Sequence, residues 1–346
     1  MRARLVDYSL LFFVLVEVVS GYASFLVGRP EGRWWFVMHG VLGLAISVLL
    51  GWKLRRVWPR LVRPALWDKA TLAGVLALLG TALVLGSGIT WTTWYWPQGY
   101  PNGLNWHVVF GTVLAVAVLS HMALRFRPLR RRDLVGRRSA LRYLGVLAAG
   151  GVLWQGHQMA LAAGGLPGAR RRFTGSQEIG SGQGLAFPVT MWMLDNPSPL
   201  DRAGWRLLVS GAVSAPYSLA AENLPALVTV NRTATLDCTG GWYTTQRWRG
   251  LDVAALLARG GVLPGAVAVG FVSATGYRWS VPMDEVADLL LATHVGDQPL
   301  DHGHGAPLRL VAPGRRGFQW VKWVTEVRVL TAPDYGQWAA IFTSGL

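Results

Sequence analysis

Before residue 165 the chain carries five long apolar runs, Leu5–Val27, Trp34–Trp52, Ala70–Ile89, Trp106–Leu124 and Tyr143–Ala163. A window of about 20 such residues is enough to cross a bilayer. Composition agrees: 52% of the 346 residues are hydrophobic, 15% are charged and the mean hydropathy is +0.32, too apolar for an ordinary water-soluble domain. The first run is too long, and is followed by too many others, for a cleaved signal peptide. The expectation is an N-terminal all-α transmembrane bundle of five spans.

The formal net charge of +15 invites a nucleic-acid reading, but before residue 165 the basic residues concentrate in three clusters. These are Arg2 with Arg4, the stretch Lys53 to Lys69, and above all Arg125 to Arg142; the alternate loops hold only Arg29 and Arg33, and no charge between Thr90 and Asn105. Positive residues stay on the cytoplasmic side. The pattern therefore places the N-terminus in the cytoplasm of a cell whose inner membrane holds the bundle. Everything after about Gly164 then lies in the periplasm or outside. The clusters also suit anionic headgroups, and nucleic acid is excluded as a partner. Trp91, Trp94, Tyr95, Trp96, Tyr100 and Trp106 read as an interfacial aromatic belt. They could equally line a quinone pocket or dock an outer domain.

Ionisable residues inside spans are functional candidates by default. His39 lies about five residues inside the outer edge of the second span and His107 at the outer edge of the fourth. Equal depth on two helices suits axial ligation of a haem iron, for which imidazole is a common ligand. His121 follows His107 by fourteen residues, on the same face and ~21 Å deeper. Such a pair resembles di-haem b-type cytochromes, but the position fourteen beyond His39 is Lys53. One outer b haem on His39 and His107 is expected, with His121 a further ligand lacking a visible partner. Histidines that only bond helix to helix are the alternative, and His157 is expected to be structural.

Residues 164–183, glycine-rich and holding Arg170–Arg172, read as a linker between a bundle of residues 1–163 and a domain of residues 184–346. There the pattern shifts to short apolar runs broken by Gly, Pro, Asn and Asp. Trp205–Val213, Ala266–Ser273, Leu308–Val311 and Val324–Leu330 are expected strands, and Leu251–Arg259 and Met283–Ala292 short helices. The class is α+β, and no internal repeat is visible.

Cys238 is the chain's one cysteine, so it forms no internal disulfide and is either packing or chemistry. Gly240 and Gly241 allow close backbone approach, Trp242 and Trp248 wall the position, and a thiolate suits a soft metal centre. Cys238 with Trp242, Trp248 and Gly250 resembles the metal-binding segment of the sulfite oxidase family of molybdopterin enzymes. Within it, the similarity is to the branch of bacterial periplasmic methionine-sulfoxide reductase catalytic subunits. Two further blocks agree: His304 to Pro313 with Gly317-Phe318 and Trp320-Val321-Lys322, and then Ala332 to Gly336. The resemblance runs from about Phe187 to the C-terminus.

It implies a sulfite-oxidase-like molybdopterin domain in which Cys238 binds molybdenum and is the catalytic residue. It assigns His304 (asparagine in the reductase branch), Arg309, Lys322, Trp320 and Val321 to the pterin and its phosphate, and Ser273 to a cofactor contact. A dianionic phosphate favours a guanidinium fork plus an ammonium. The chain departs from sulfite oxidases proper in lacking the arginine-rich segment after the cysteine, and their extra dimerisation domain is not expected. Arg247, Arg278, Arg315 and Arg316 could favour an anionic substrate. The implied function is a molybdenum oxidoreductase exchanging electrons with the quinone pool through a b haem, reducing an S- or N-oxide on a small molecule or an oxidised protein. The alternatives are a sulfite-type dehydrogenase and a non-enzymatic membrane protein whose outer domain kept the fold for binding; a transporter is disfavoured. Gly136-Arg137-Arg138 before the fifth span resembles a twin-arginine export signal, read by the twin-arginine translocase that carries folded, cofactor-loaded domains. Ala160-Leu161-Ala162 is expected to stay uncut.

Overall fold

The computed structural model describes residues 2–97, 101–130, 133, 137–191 and 195–345 and divides the chain into two compact units, Met1–Gln177 and Glu178–Leu346. The first is helical: α1 (Ala3–Ser24), α2 (Arg33–Leu61), α3 (Lys69–Thr93), α4 (Gly103–Leu124) and α5 (Arg137–Ala163). Helix starts follow their caps. Asp68 accepts from the Thr71 amide at 2.8 Å, and Asn102 and Asn105 form a reciprocal capping box before α4. α3 packs along α4, α2 along α5, and α1 against both α2 and α4.

The bundle core is small, built on Val6, Leu10, Val14, Ala45, Ile46, Leu49, Leu114 and Val146. Much of the remaining apolar surface points outward, as at Phe12, Leu76, Val113 and Val152. In water such a surface is costly; against lipid tails it is matched. Among the described residues four helices, α1 to α4, are long and apolar enough to cross a membrane. The fifth expected span forms as α5 but is not among them, because Gln155, His157 and Gln158 interrupt its apolar run. α5 instead packs tightly: a Cβ on Gly150 would stand 2.6 Å from the Val41 carbonyl.

The glycine-rich stretch expected as a linker is ordered at its start. Arg171 donates to the carbonyls of Gly175 at 2.7 Å and Trp94 at 2.8 Å and stacks on Trp91, while Gln177 donates to the Trp96 carbonyl at 2.7 Å. Tyr100 of the aromatic belt and Gly136 of the twin-arginine motif lie outside the described residues.

The second unit is α+β with two sheets. The first, six-stranded, runs β1 (Gln177–Glu178), β5 (Trp242–Asp252), β8 (Leu290–Val295), β10 (Arg309–Val311), with β4 (Val230–Asp237) on β5 and β9 (Gln298–Pro299) on β8. The second runs β3 (Tyr217–Ala220), β2 (Arg206–Gly211), β11 (Val324–Leu330), β6 (Ala268–Ser273), β7 (Arg278–Pro282), with β2 and β11 parallel and the other pairs antiparallel. The expected strands are thus present, and Val253–Gly260 is the expected short helix, capped by Asp252.

The expected helix Met283–Ala292 is not formed. Met283–Asp288 is a 3-10 turn, and Leu290 opens β8, paired to β5 on one side and β10 on the other. Leu290, Leu291 and Ala292 are fully buried. A continuous apolar run reads alike as a buried strand or a buried helix, and here the central sheet position decides it.

Gly250 sits at the irregularity in the β5–β8 pairing, where a Cβ would collide with the Leu291 carbonyl. Its place in the cysteine motif is therefore structural. Gly250→Ala is expected to cost ~3 kcal/mol in a denaturant melt of the second unit, without displacing any ligand group.

Candidate functional site

β4 and β5 form a long hairpin, and Cys238 stands in its turn. The Cys238 amide donates to the Trp242 carbonyl at 2.8 Å, and the Gly241 amide to the Cys238 carbonyl at 3.1 Å, with Gly241 at φ 88°. Only glycine adopts that conformation freely. The Gly240 amide donates to the Cys238 Sγ at 3.3 Å. Beneath the turn a Cβ on Gly317 would come 3.0 Å from the Cys238 Cα, and Arg316, in a buried ion pair with Asp237, donates to the Cys238 carbonyl at 3.3 Å. Burial pushes the Cys238 thiol up; the Gly240 amide, the Thr190 hydroxyl and Arg316 oppose it. With nothing bound, the group stays a thiol. A soft metal cation reverses that preference by binding the thiolate.

Behind the hairpin lie two cations. Arg309, on β10, is 4% exposed and lies beside the rings of Trp248 and Trp320, at 5.6 and 5.9 Å from their centroids. It donates to the His304 carbonyl at 3.2 Å, and its Nε is buried with no hydrogen-bond partner. The Lys322 Nζ donates to the carbonyls of Gly303 at 2.6 Å and Thr190 at 2.8 Å. Gly305, at φ 108°, lets the chain pass between them: a Cβ there would meet Lys322 at 3.1 Å and Arg309 at 3.2 Å. Among the described residues neither cation bonds a carboxylate. Burial draws Arg309 down to about 10; burial and then Arg309 draw Lys322 down to about 7, with Asp195 and Asp301 weaker opposing influences. Two desolvated cations served only by carbonyls form a site that an anion would complete.

The Lys322 shift has a measurable sign. Its ordinary value is 10.5 and its folded value about 7, so between these the unfolded chain holds a proton that the empty folded site has released. The empty domain therefore gains stability as pH rises from about 7 towards 10.5 and loses it on the way down. Lys322→Met should flatten this dependence, read as melting midpoints of wild type and variant across that window.

The other expected residues join this site unequally. Trp320 packs on Trp248 at 5.5 Å, and the Val321 carbonyl accepts from the Leu310 amide, so both flank Arg309. His304 offers its carbonyl; its ring is fully engaged, Nδ1 with Asp301 at 2.8 Å and Nε2 with the Phe187 carbonyl at 3.1 Å. Burial lowers its pKa, while Phe187 and Asp301 raise it. Ser273 is buried at the end of β6, accepting from Thr275 at 3.0 Å, and the next amide, of Ala274, donates to the Trp323 carbonyl. It thus reaches the site through the residue after Lys322. Arg247, Arg278, Arg315 and Arg316 are each paired, with Asp297, Asp334, Glu285 and Asp237. They do not supply an anion-recruiting surface.

Thr190 was not foreseen. Its carbonyl holds Lys322, and its hydroxyl accepts from the Trp242 indole at 3.2 Å and bonds Cys238. It lies in irregular chain where no periodicity marks it.

In the bundle, the His39 and His107 rings are 6.1 Å apart between centroids and inclined at 78°. Two imidazoles this close would serve one haem iron. His39 Nδ1 lies 2.9 Å from Glu17 Oε2, and His107 Nδ1 3.1 Å from the Val84 carbonyl, which leaves each Nε2 for a ligand. Gly88 faces the His107 ring so closely that a Cβ there would stand 3.0 Å from it, whereas one on Gly21 would make ordinary contact with the His39 ring at 3.5 Å. His121 bonds the Ala70 carbonyl at 2.9 Å and lines a cavity of about 320 Å³ with Asp7, Lys53 and Arg56; no second histidine lines it. His157 bonds Thr92 at 3.2 Å, helix to helix. Glu17 was not foreseen either, although the rule that singled out the histidines covers buried acids too.

A buried thiol in a glycine turn beside a buried arginine and a half-buried lysine defines a domain suited to an anionic, soft-metal cofactor. Residues 194–338 match the family of the oxidoreductase molybdopterin binding domain. Mitochondrial sulfite oxidase of Mus musculus is 30% identical over 191 residues, covering 45% of this chain and 35% of that protein. The protein-methionine-sulfoxide reductase catalytic subunit of Gluconobacter oxydans (strain 621H) is 30% identical over 171 residues, covering 43% of this chain and 53% of that one. Among solved structures, the sulfane dehydrogenase SoxCD from Paracoccus pantotrophus matches at 28% identity and a TM-score of 0.37, over 39% of this chain and 40% of that chain. The chain spans about a third to a half of the length of these curated relatives. Its second unit is an oxidoreductase molybdopterin-binding domain, related to the sulfite oxidases and to the methionine-sulfoxide reductase catalytic subunits.

Proposed function

We propose that this protein is a membrane-anchored molybdenum oxidoreductase whose second unit reduces an S- or N-oxide with electrons drawn from the quinone pool through a b haem. The observation that carries the second unit's part is the Arg309–Lys322 pair, Arg309 buried and Lys322 half-buried, bonded only to carbonyls. A pterin phosphate would supply the missing anion and take the orphaned Arg309 Nε. Cys238 would hold molybdenum by its thiolate, the Gly240 amide and Thr190 hydroxyl would support that sulfur, and Ser273, His304 and the backbone of Trp320 and Val321 would border the pterin. When bound, the molybdenum pterin supplies two-electron oxygen-atom transfer.

The pairing of the four surface and flanking arginines with carboxylates favours a neutral oxide over sulfite, hence the reductive direction. In the first unit His39 and His107 would hold the b haem, whose chemistry is one-electron transfer. α5 would be a fifth, less apolar span, setting the second unit on the outer face of the inner membrane. Arg137 and Arg138 at its foot would address the loaded domain to the twin-arginine translocase.

Metal and pterin analysis of the purified full-length chain tests this. About one molybdenum and one pterin per chain is expected, both lost in the Arg309→Ala, Lys322→Ala double variant. A wild-type chain free of molybdenum after expression in a host that makes the cofactor would overturn the reading.

A further inference from the structure

Glu17 is an acid within the first apolar helix, where an ionisable group is expensive and needs a purpose. Its Oε2 lies 2.9 Å from His39 Nδ1, and its Oε1 is buried without a hydrogen-bond partner. Ser20 Oγ stands 3.0 Å from the same Nδ1 and donates its own proton to the Glu17 carbonyl at 3.1 Å. A hydroxyl has one proton, so towards Nδ1 it can only accept. With Glu17 ionised, both neighbours of Nδ1 are acceptors, so Nδ1 carries the hydrogen and Nε2 presents its lone pair.

His107 is held by a different chemistry. Its Nδ1 faces the Val84 carbonyl at 3.1 Å and Ser87 Oγ at 3.2 Å, and Ser87 donates to that same carbonyl at 3.0 Å. The tautomer is again the one with hydrogen on Nδ1, but the acceptors are neutral. The two imidazoles share a tautomer and differ in the charge behind them.

We propose that Glu17 is a positioning residue that locks His39 for ligation and makes it the more electron-donating of the two unequal imidazoles that would hold the haem. This rests on the haem reading above. A hydrogen bond from Nδ1–H to a carboxylate raises electron density at Nε2, as in carboxylate–histidine–metal triads. Density at the ligand favours ferric over ferrous iron and lowers the midpoint potential. The first unit would then be tuned as an electron donor.

The test uses the full-length chain in detergent, with reduced-minus-oxidised spectra and redox titration. Glu17→Gln keeps an acceptor for Nδ1–H and removes the charge; it should retain the haem and move the midpoint upward. Glu17→Asp keeps the charge at a longer reach and should restore most of the wild-type potential. Ser87→Ala, behind the other ring, should shift it less than Glu17→Gln. Glu17→Leu, with no carboxylate or amide acceptor, should lower haem content. A wild-type spectrum without haem overturns the haem reading and this proposal with it. Haem present at an unchanged midpoint in Glu17→Gln overturns the proposal alone. If the glutamine variant does not accumulate, an aspartate variant whose potential rises as far as that of the leucine variant overturns it equally.

Discussion

Cys238→Ser is expected to leave the second unit folded and to abolish turnover. The hydroxyl fits the space of the thiol and can still accept from the Gly240 amide, so the fold should lose only about 1–2 kcal/mol. Oxygen is a hard donor and its proton is not given up to a soft metal, so the loss of activity should exceed the ~100-fold typical of removing a group that merely supports a ligand. Thermal melting, molybdenum content and turnover of a sulfoxide by reduced protein separate the two effects. A serine variant that melts normally and turns over normally would remove Cys238 from the chemistry.

The second large effect is in the bundle. His39→Ala and His107→Ala should each erase the reduced-minus-oxidised spectrum of a low-spin b haem, because the 6.1 Å arrangement needs both rings. His121→Ala should leave that spectrum in place, since its ring bonds the Ala70 carbonyl and no second histidine lines its cavity. A spectrum that survives either outer substitution, or disappears with His121 alone, would refute the pairing by depth.

How far these features could be read from residues differs between the two units. Lipid-facing helices announce themselves, because the apolar residues of α1 to α4 need no partner and are not rationed to one face. α5 is less legible: Gly150 serves a close contact that hydropathy does not register, and Gln155 and Gln158 lower the hydropathy of its run. In the second unit the strands with flanking turns were visible. β8 was not, since Leu290, Leu291 and Ala292 are buried on both faces and lose the alternation that marks a strand. Cys238, Arg309 and Lys322 were found because three motif blocks lie in register, whereas Thr190 and Glu17 act through position alone. Thr190 holds Lys322 by its carbonyl, which every residue has, and its hydroxyl meets Cys238 from irregular chain; Glu17 is a lone acid in an apolar helix, seen only if the search for buried charge extends beyond histidine.

The buried pair Arg309 and Lys322 also makes occupancy a part of folding. Below about pH 7 an empty domain holds two like charges largely out of water, and above it one charge and a neutral amine; an anion that binds only the folded chain stabilises it by mass action, by about 4 kcal/mol at a thousandfold excess over its dissociation constant. That is a large share of the 5–15 kcal/mol that holds a typical domain together. Loaded and unloaded chains would then differ in lifetime before they differ in catalysis, and ordinary proteolysis would act as a quality check for the cofactor without any dedicated receptor.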